Sequence, residues 1–128
     1  MILVDTSVWI EVFRRGEFDL EKVVDLEEVV TCLPVIQEVL QGFDDQRAYS
    51  IAMESMLSFP CVESPMGEEI FLRAIDLYRE ARRVGVTVRS SVDCLIAACA
   101  LGHSLVVCHR DRDYDAIAGV SRLRTLKV

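Results

Sequence analysis

Long hydrophobic runs are missing from this 128-residue chain. The longest, Cys94 to Leu101, falls well short of the roughly 18 apolar residues that a membrane span needs. A secretory leader is missing too. Met1 to Val4 runs straight into Asp5, with no basic segment and no small-residue cleavage site. Both absences point to a protein that stays in the cytoplasm. The 5 cysteines (Cys32, Cys61, Cys94, Cys99 and Cys108) are odd in number and contain no C-x-x-C pair. They read as buried reduced thiols, which excludes a disulfide framework and a zinc site. There is no P-loop, G-x-G-x-x-G fingerprint, G-x-S-x-G elbow or H-E-x-x-H helix, so four common catalytic designs are set aside. Neither an internal repeat nor a linker rich in proline, glycine or serine divides the chain, and residues 1–128 read as one domain.

Positive charge is scarce as well. The formal net charge is −7, which taken alone argues against a general nucleic-acid binder. Lys22 and Lys127 are the only lysines, so the basic residues are nearly all arginine, bunched at Arg14-Arg15, Arg82-Arg83 and Arg110-Arg112. Arginine grips phosphate bidentately, although a compositional bias explains the ratio equally well. A divalent cation held by converging acids would also cancel part of the negative charge.

What the sequence does contain is an alternation of short apolar runs and helical patterns. Met1 to Val4 reads as a buried strand, followed by a helix carrying Val8, Trp9, Val12 and Phe13 and stopped by Gly16. A second short helix is predicted over Asp19 to Leu26. Val29 to Cys32 is β-branched and reads as strand two. Pro34 suits the first turn of a helix running to Gln41. Asp45 to Leu57 is amphipathic, and Phe59 to Val62 is a third short strand. Ser64-Pro65 opens a helix whose inner stripe is Ile70, Phe71, Ala74, Ile75, Tyr78 and Ala81, closed by Gly85. Ser90 to Leu101 is apolar nearly all round and predicts a central buried helix. Leu105 to Cys108 is the fourth strand, Asp113 to Ala118 a short helix, and Arg124 to Val128 a closing strand. Such an order implies an α/β fold of three layers, with a parallel sheet of four to five strands between helices. Ligands in open parallel sheets bind beyond the carboxyl ends of the strands.

Four acids fall in or near that region. Asp5 follows strand one, Asp111 follows strand four, Asp93 lies in the first turn of the buried helix, and Glu38 lies in the helix after strand two. Each has a plain structural reading. Asp5 can cap a helix. Ser90-x-x-Asp93 fits an acidic capping box. Glu38 is off the apolar stripe and can be a solvated surface residue, and Asp111 can be a turn residue. Asp93 resists its plain reading best, because a carboxylate on an otherwise apolar helix is costly to bury without a cation. Oxygen ligands without histidine or cysteine favour Mg²⁺ or Mn²⁺, and carboxylates around such an ion suit phosphoryl chemistry. His103 and His109 lack ligand spacing, and His109 reads as a loop histidine.

The motifs around these acids resemble those of PIN-domain nucleases, in particular the VapC-type toxins of bacterial toxin–antitoxin pairs. Asp5-Thr6-Ser7-Val8-Trp9 is similar to the family's opening motif, Pro34 to Gly42 to the second with Glu38, Arg89 to Ala98 to the third with Asp93, and His109 to Tyr114 to the acidic fourth. Tyr114 stands where phenylalanine is usual. The resemblance runs in order over residues 1–118. It implies an endoribonuclease holding Mg²⁺ or Mn²⁺ chiefly by Asp5 and Asp93, with Glu38 and Asp111 helping and Thr6 or Ser7 orienting a ligand or water. The fourth ligand is open between Asp111 and Asp113; Asp111 is preferred, with Asp113 supporting it or capping the helix. Cleavage of structured RNA such as tRNA or rRNA, leaving 5′-phosphate and 3′-hydroxyl ends, is implied, as are a homodimer and a cognate antitoxin that brings an arginine to the acidic pocket. The Asp45 to Leu57 segment and the first helices are the surfaces expected to meet that partner. Two other classes remain in view. One is an aspartate phosphatase using Asp5, which would want a second aspartate where Ser7 stands and a positioned lysine. The other is a PIN-like module that binds RNA or protein without cutting it, against which the full set of acids counts.

Overall fold

The structure, a computed structural model, describes residues 1–16 and 18–128. Among these residues five strands, β1 (Ile2–Val4), β2 (Val29–Cys32), β3 (Cys61–Val62), β4 (Val106–His109) and β5 (Arg124–Lys127), pair in the order β3-β2-β1-β4-β5. Every pairing is parallel. Six α-helices join them: α1 (Thr6–Ile10), α2 (Leu33–Gln41), α3 (Gln46–Ser58), α4 (Glu68–Arg83), α5 (Ser91–Gly102) and α6 (Asp113–Gly119). The chain first winds outward from β1 to β2 and β3, then returns to lay β4 on the other side of β1. Right-handed crossovers therefore put the helices on two sides of the sheet. One group, α1 to α3, packs in sequence, and a second, α4 to α6, packs among itself. The direction of winding reverses between β1 and β4, and that switch point is where a parallel sheet opens a crevice at its carboxyl edge.

The core follows from the strand sequences. Leu3 and Val4 of β1, Val107 and Cys108 of β4, and Ile96 to Ala100 of α5 are all fully buried. Helix α5 is hidden on nearly every side, as its all-round apolar sequence requires. No helix among the described residues is long and apolar enough to cross a membrane.

Several local expectations are corrected. The first helix does carry Val12 and Phe13, but through a π-helical turn over Glu11–Arg15 that ends at Gly16 in the left-handed region (φ 64°). The Arg15 side chain, one half of the first arginine pair, lies outside what the structure describes. In place of a helix over Asp19 to Leu26 there are two 3₁₀ turns, Leu20–Lys22 and Leu26–Glu28. Asp19 and Asp25 each accept from a backbone N–H two residues on, so each starts its own turn and no helix propagates through both. Helix α4 begins at Glu68 behind Gly67, not at Ser64-Pro65. Its inward residues are Ile70, Ala74, Leu77 and Ala81, while Phe71 and Ile75 are 46% and 52% exposed. With Tyr78, Cys94 and Leu95 they line a groove between α4 and α5. Cys61 is exposed, because β3 is a short edge strand; the other four cysteines are buried.

Candidate active site

Asp5 leaves β1 at the sheet edge, its backbone N–H still bonded to the Cys108 carbonyl at 2.9 Å. It caps α1, as the plain reading expects, since Oδ2 accepts from the Ser7 N–H at 3.0 Å. The carboxylate does more than cap. Oδ2 also accepts from Ser7 Oγ at 2.6 Å, and Oδ1 accepts from the Tyr114 hydroxyl at 2.6 Å. Asp5 is only 3% exposed. Burial holds the Tyr114 phenol well above its ordinary pKa, so it remains a donor. Ser7 Oγ in turn accepts from the Arg110 N–H at 3.0 Å, tying α1 to the segment after β4.

Glu38 reaches the same edge from α2. It is half-buried, and Thr6 Oγ1 donates to its Oε1 at 2.8 Å. Burial raises its pKa, Thr6 opposes that, and the charges of Asp5 and Asp111 push it up further. The off-stripe position that suggested a solvated glutamate instead faces Thr6 of α1.

Asp93 lies in the first turn of α5, 5% exposed. The capping-box reading fails. Ser90 Oγ accepts from the Val92 N–H at 3.3 Å, and Asp93 Oδ2 is buried with no hydrogen-bond partner among the described residues. Burial, followed by the charges of Asp5, Asp111, Asp113 and Glu38, pushes its pKa up to about 8. A helix N-terminus favours a nearby carboxylate by only about 0.3–1 kcal/mol, so desolvation wins. In the absence of a cation this group holds its proton near neutrality.

Asp111 and Asp113 complete the cluster. One oxygen from each of Asp93, Asp111 and Asp113 can be chosen so that all three lie within 4.8 Å of one another. Asp111 Oδ1 accepts from the Asp113 N–H at 2.9 Å, so the two are locked in a turn that opens α6. Both stand beside Asp93 in this geometry. The donor set is all oxygen, with an orphaned carboxylate oxygen at its centre. It fits a hard divalent cation, which would supply what Asp93 lacks.

Sequence reasoning named Arg89 only as the first residue of the third motif and gave it no role. Its Nη2 contacts Asp111 Oδ1 at 3.1 Å and its Nε contacts Asp113 Oδ1 at 3.2 Å. It stands alone, outside the paired arginines that drew notice; the one signal was its place four residues before Asp93. His109 is also corrected. It ends β4 and is fully buried, its ring 5.0 Å from that of Tyr114. Its Nδ1 accepts from the Asp111 N–H at 3.2 Å, and burial lowers its pKa, so a neutral ring supports the acidic turn. His103, just past the end of α5, pairs with Glu63 at 2.8 Å and not with these acids.

A parallel sheet with carboxylates converging beyond β1 and β4 defines a class of protein. The chain belongs to the PIN domain family, whose profile matches residues 2–120. It is 35% identical to Ribonuclease VapC11 of Mycobacterium tuberculosis over 130 aligned positions, spanning 97% of this chain and 96% of that protein. Among solved structures it shares its fold with VapBC2 from Rickettsia felis, bound to a promoter DNA fragment (TM-score 0.79, 13% identity, 100% and 99% of the two chains). It is likewise similar in fold to VapC20 of Mycobacterium tuberculosis, a toxin that cleaves the sarcin-ricin loop (TM-score 0.67, 22% identity, 97% and 99%).

Proposed function

We propose that this chain is a metal-dependent endoribonuclease, the toxin of a toxin–antitoxin pair, acting in the cytoplasm on structured RNA of the tRNA or rRNA kind. The observation that carries the reading is the buried, partnerless Oδ2 of Asp93 amid four further carboxylates. Such a group is retained at a cost to stability unless a cation belongs beside it. Mg²⁺ or Mn²⁺ held there by these acids would supply charge neutralisation at the scissile phosphate and would acidify a water for attack.

The chain's own residues prepare that step. Asp93, Asp111 and Asp113 offer the closest set of ligand oxygens, and Asp5 and Glu38 stand at the β1 side. Tyr114 and Ser7 fix both oxygens of Asp5, so its orientation is set before substrate arrives. Thr6 holds Glu38, whose raised pKa suits a group that takes up and releases a proton. Single-stranded loops of RNA expose the backbone to a cleft of this kind.

Residues 1–128 act as one domain on this reading, which the single sheet and the near-complete family match support. A homodimer and a cognate antitoxin are the partners. The −7 net charge favours an antitoxin segment rich in cationic side chains. Exposed Ile51 and Leu57 on α3, and Phe71 and Ile75 on α4, supply apolar surface for these contacts.

The purified chain is expected to cleave RNA with Mg²⁺ or Mn²⁺ and to stop with EDTA. Asp5→Ala and Asp93→Asn should each lower the rate by about 10³-fold or more, a loss of about 4 kcal/mol of transition-state stabilisation, while circular dichroism shows them folded. Undiminished cleavage by both variants would sink the assignment.

A further inference from the structure

Arg89 covers two of the three carboxylates best placed to hold a cation. Its guanidinium engages Asp111 Oδ1 and Asp113 Oδ1, and its backbone N–H donates to Asp113 Oδ2 at 3.1 Å. An ordinary supporting arginine would be needed to orient these acids, and here it is not. Without the guanidinium, Asp113 keeps the Arg89 N–H on Oδ2 and Asp111 keeps the Asp113 N–H on Oδ1. Backbone donors alone hold both. The Arg89 side chain is 56% exposed, so it is not packed in place. It also borders a hollow lined by Thr87, Arg112, Asp113 and Asp115, which gives it room to move. A guanidinium beside a divalent cation is repelled by it, and two acceptors cannot serve both fully. Planar guanidinium is at the same time the side chain best matched to phosphate oxygens.

We propose that Arg89 is a phosphate ligand parked on the metal site: in the RNA-free chain it competes with the divalent cation for Asp111 and Asp113, and with cation and RNA bound it turns to the phosphodiester backbone. This rests on the nuclease reading above and assigns that site a substrate-binding residue.

The test pairs two readouts on Arg89→Ala, with Arg89→Lys as a second variant that keeps the charge and Arg89→Gln as a third. Calorimetry with Mn²⁺ on RNA-free protein should show Arg89→Ala binding the ion about tenfold more tightly than wild type, within the usual range for coupled sites. Cleavage of a fluorogenic RNA at saturating Mn²⁺ should fall nonetheless, and its dependence on salt should flatten by about 0.7 in log–log slope, the signature of one lost phosphate contact to a single strand. Arg89→Lys should lie between wild type and Arg89→Ala on both. A supporting role gives the opposite sign, since loss of a positioning partner weakens metal binding about 10–100-fold. Unchanged or weaker Mn²⁺ binding in Arg89→Ala therefore overturns the proposal, as does tighter binding with unchanged cleavage and salt slope. Failure of wild type to bind Mn²⁺ or cut RNA would instead overturn the nuclease reading, and this proposal with it.

Discussion

Asp5 and Glu38, on the β1 side of the site, are held by neutral donors, three hydroxyl groups and the Ser7 N–H, whereas on Asp111 and Asp113, on the β4 side, a guanidinium joins the backbone N–H groups. Neutral donors of this kind fix the direction of a carboxylate without cancelling its charge. A guanidinium cancels charge and must be shared or displaced. Asp93 stands between the halves with one oxygen unsatisfied. One side is thus preorganised and the other is exchangeable, and the buried acid at the centre registers which state the site is in.

The largest effect expected from this contrast concerns Asp93. Its pKa in the folded chain, about 8, lies far above the ordinary value of 3.8. Below about pH 4 the folded and unfolded forms both hold the proton, and the group is neutral with respect to stability. Between about 4 and about 8 only the folded form holds it, so metal-free stability falls as pH rises; above about 8 the loss is complete. Each pH unit across that window removes at most about 1.4 kcal/mol, so the ceiling is several kcal/mol. Urea unfolding in EDTA across this window should show the decline, Asp93→Asn should flatten it, and saturating Mn²⁺ should oppose it. A flat wild-type profile would break the comparison at its centre.

A smaller effect probes the hydroxyl side. Thr6→Val removes the donor that holds the Glu38 pKa down against burial. With burial unopposed the Glu38 carboxyl holds its proton to higher pH, so cleavage by this variant should fall on the acidic side of the profile and recover toward alkaline pH. A loss uniform across pH would mean that Thr6 acts otherwise than through the protonation of Glu38. Smallest of all should be Tyr114→Phe. Asp5 loses one of its three donors but keeps both from Ser7, for a cost of about 1–2 kcal/mol in urea unfolding and a few-fold loss of rate.

These contrasts could be read from the sequence only in part. Strands β1 and β2 and helix α5 are legible because their patterns are extreme: a four-residue apolar run ending at an acid, a β-branched run, and a helix with no polar face. Among the acids Asp93 was legible for a similar reason, since it interrupts an otherwise apolar surface, whereas Glu38 rested on the family resemblance. The partners of these acids were not legible. Thr6 and Glu38 are 32 residues apart, and nothing in either local sequence announces the bond. Arg89 is a lone arginine whose meaning depends on where the turn after β4 lands. Helix α4 failed differently. Ile70, Phe71, Ala74, Ile75 and Tyr78 form a stripe broad enough to fit the core in two phases, and only its packing on α5 selects Ile70, Ala74 and Leu77. The tight turns at 20–28 escaped because two aspartate caps in close succession override helical composition.

The Tyr114 hydroxyl reaches back across 109 positions to Asp5, and that span has a consequence for synthesis. A chain emerging from the ribosome amino terminus first, at roughly 5–20 residues per second, displays Asp5, Glu38 and Asp93 well before Asp111, Asp113 and Tyr114. Strand β4, which seats between β1 and β5, joins the sheet in that same later stretch of the chain. The acidic cluster therefore comes together only once the chain has been made through Tyr114, and a product interrupted before that point carries Asp5, Glu38 and Asp93 without the partners that complete the arrangement.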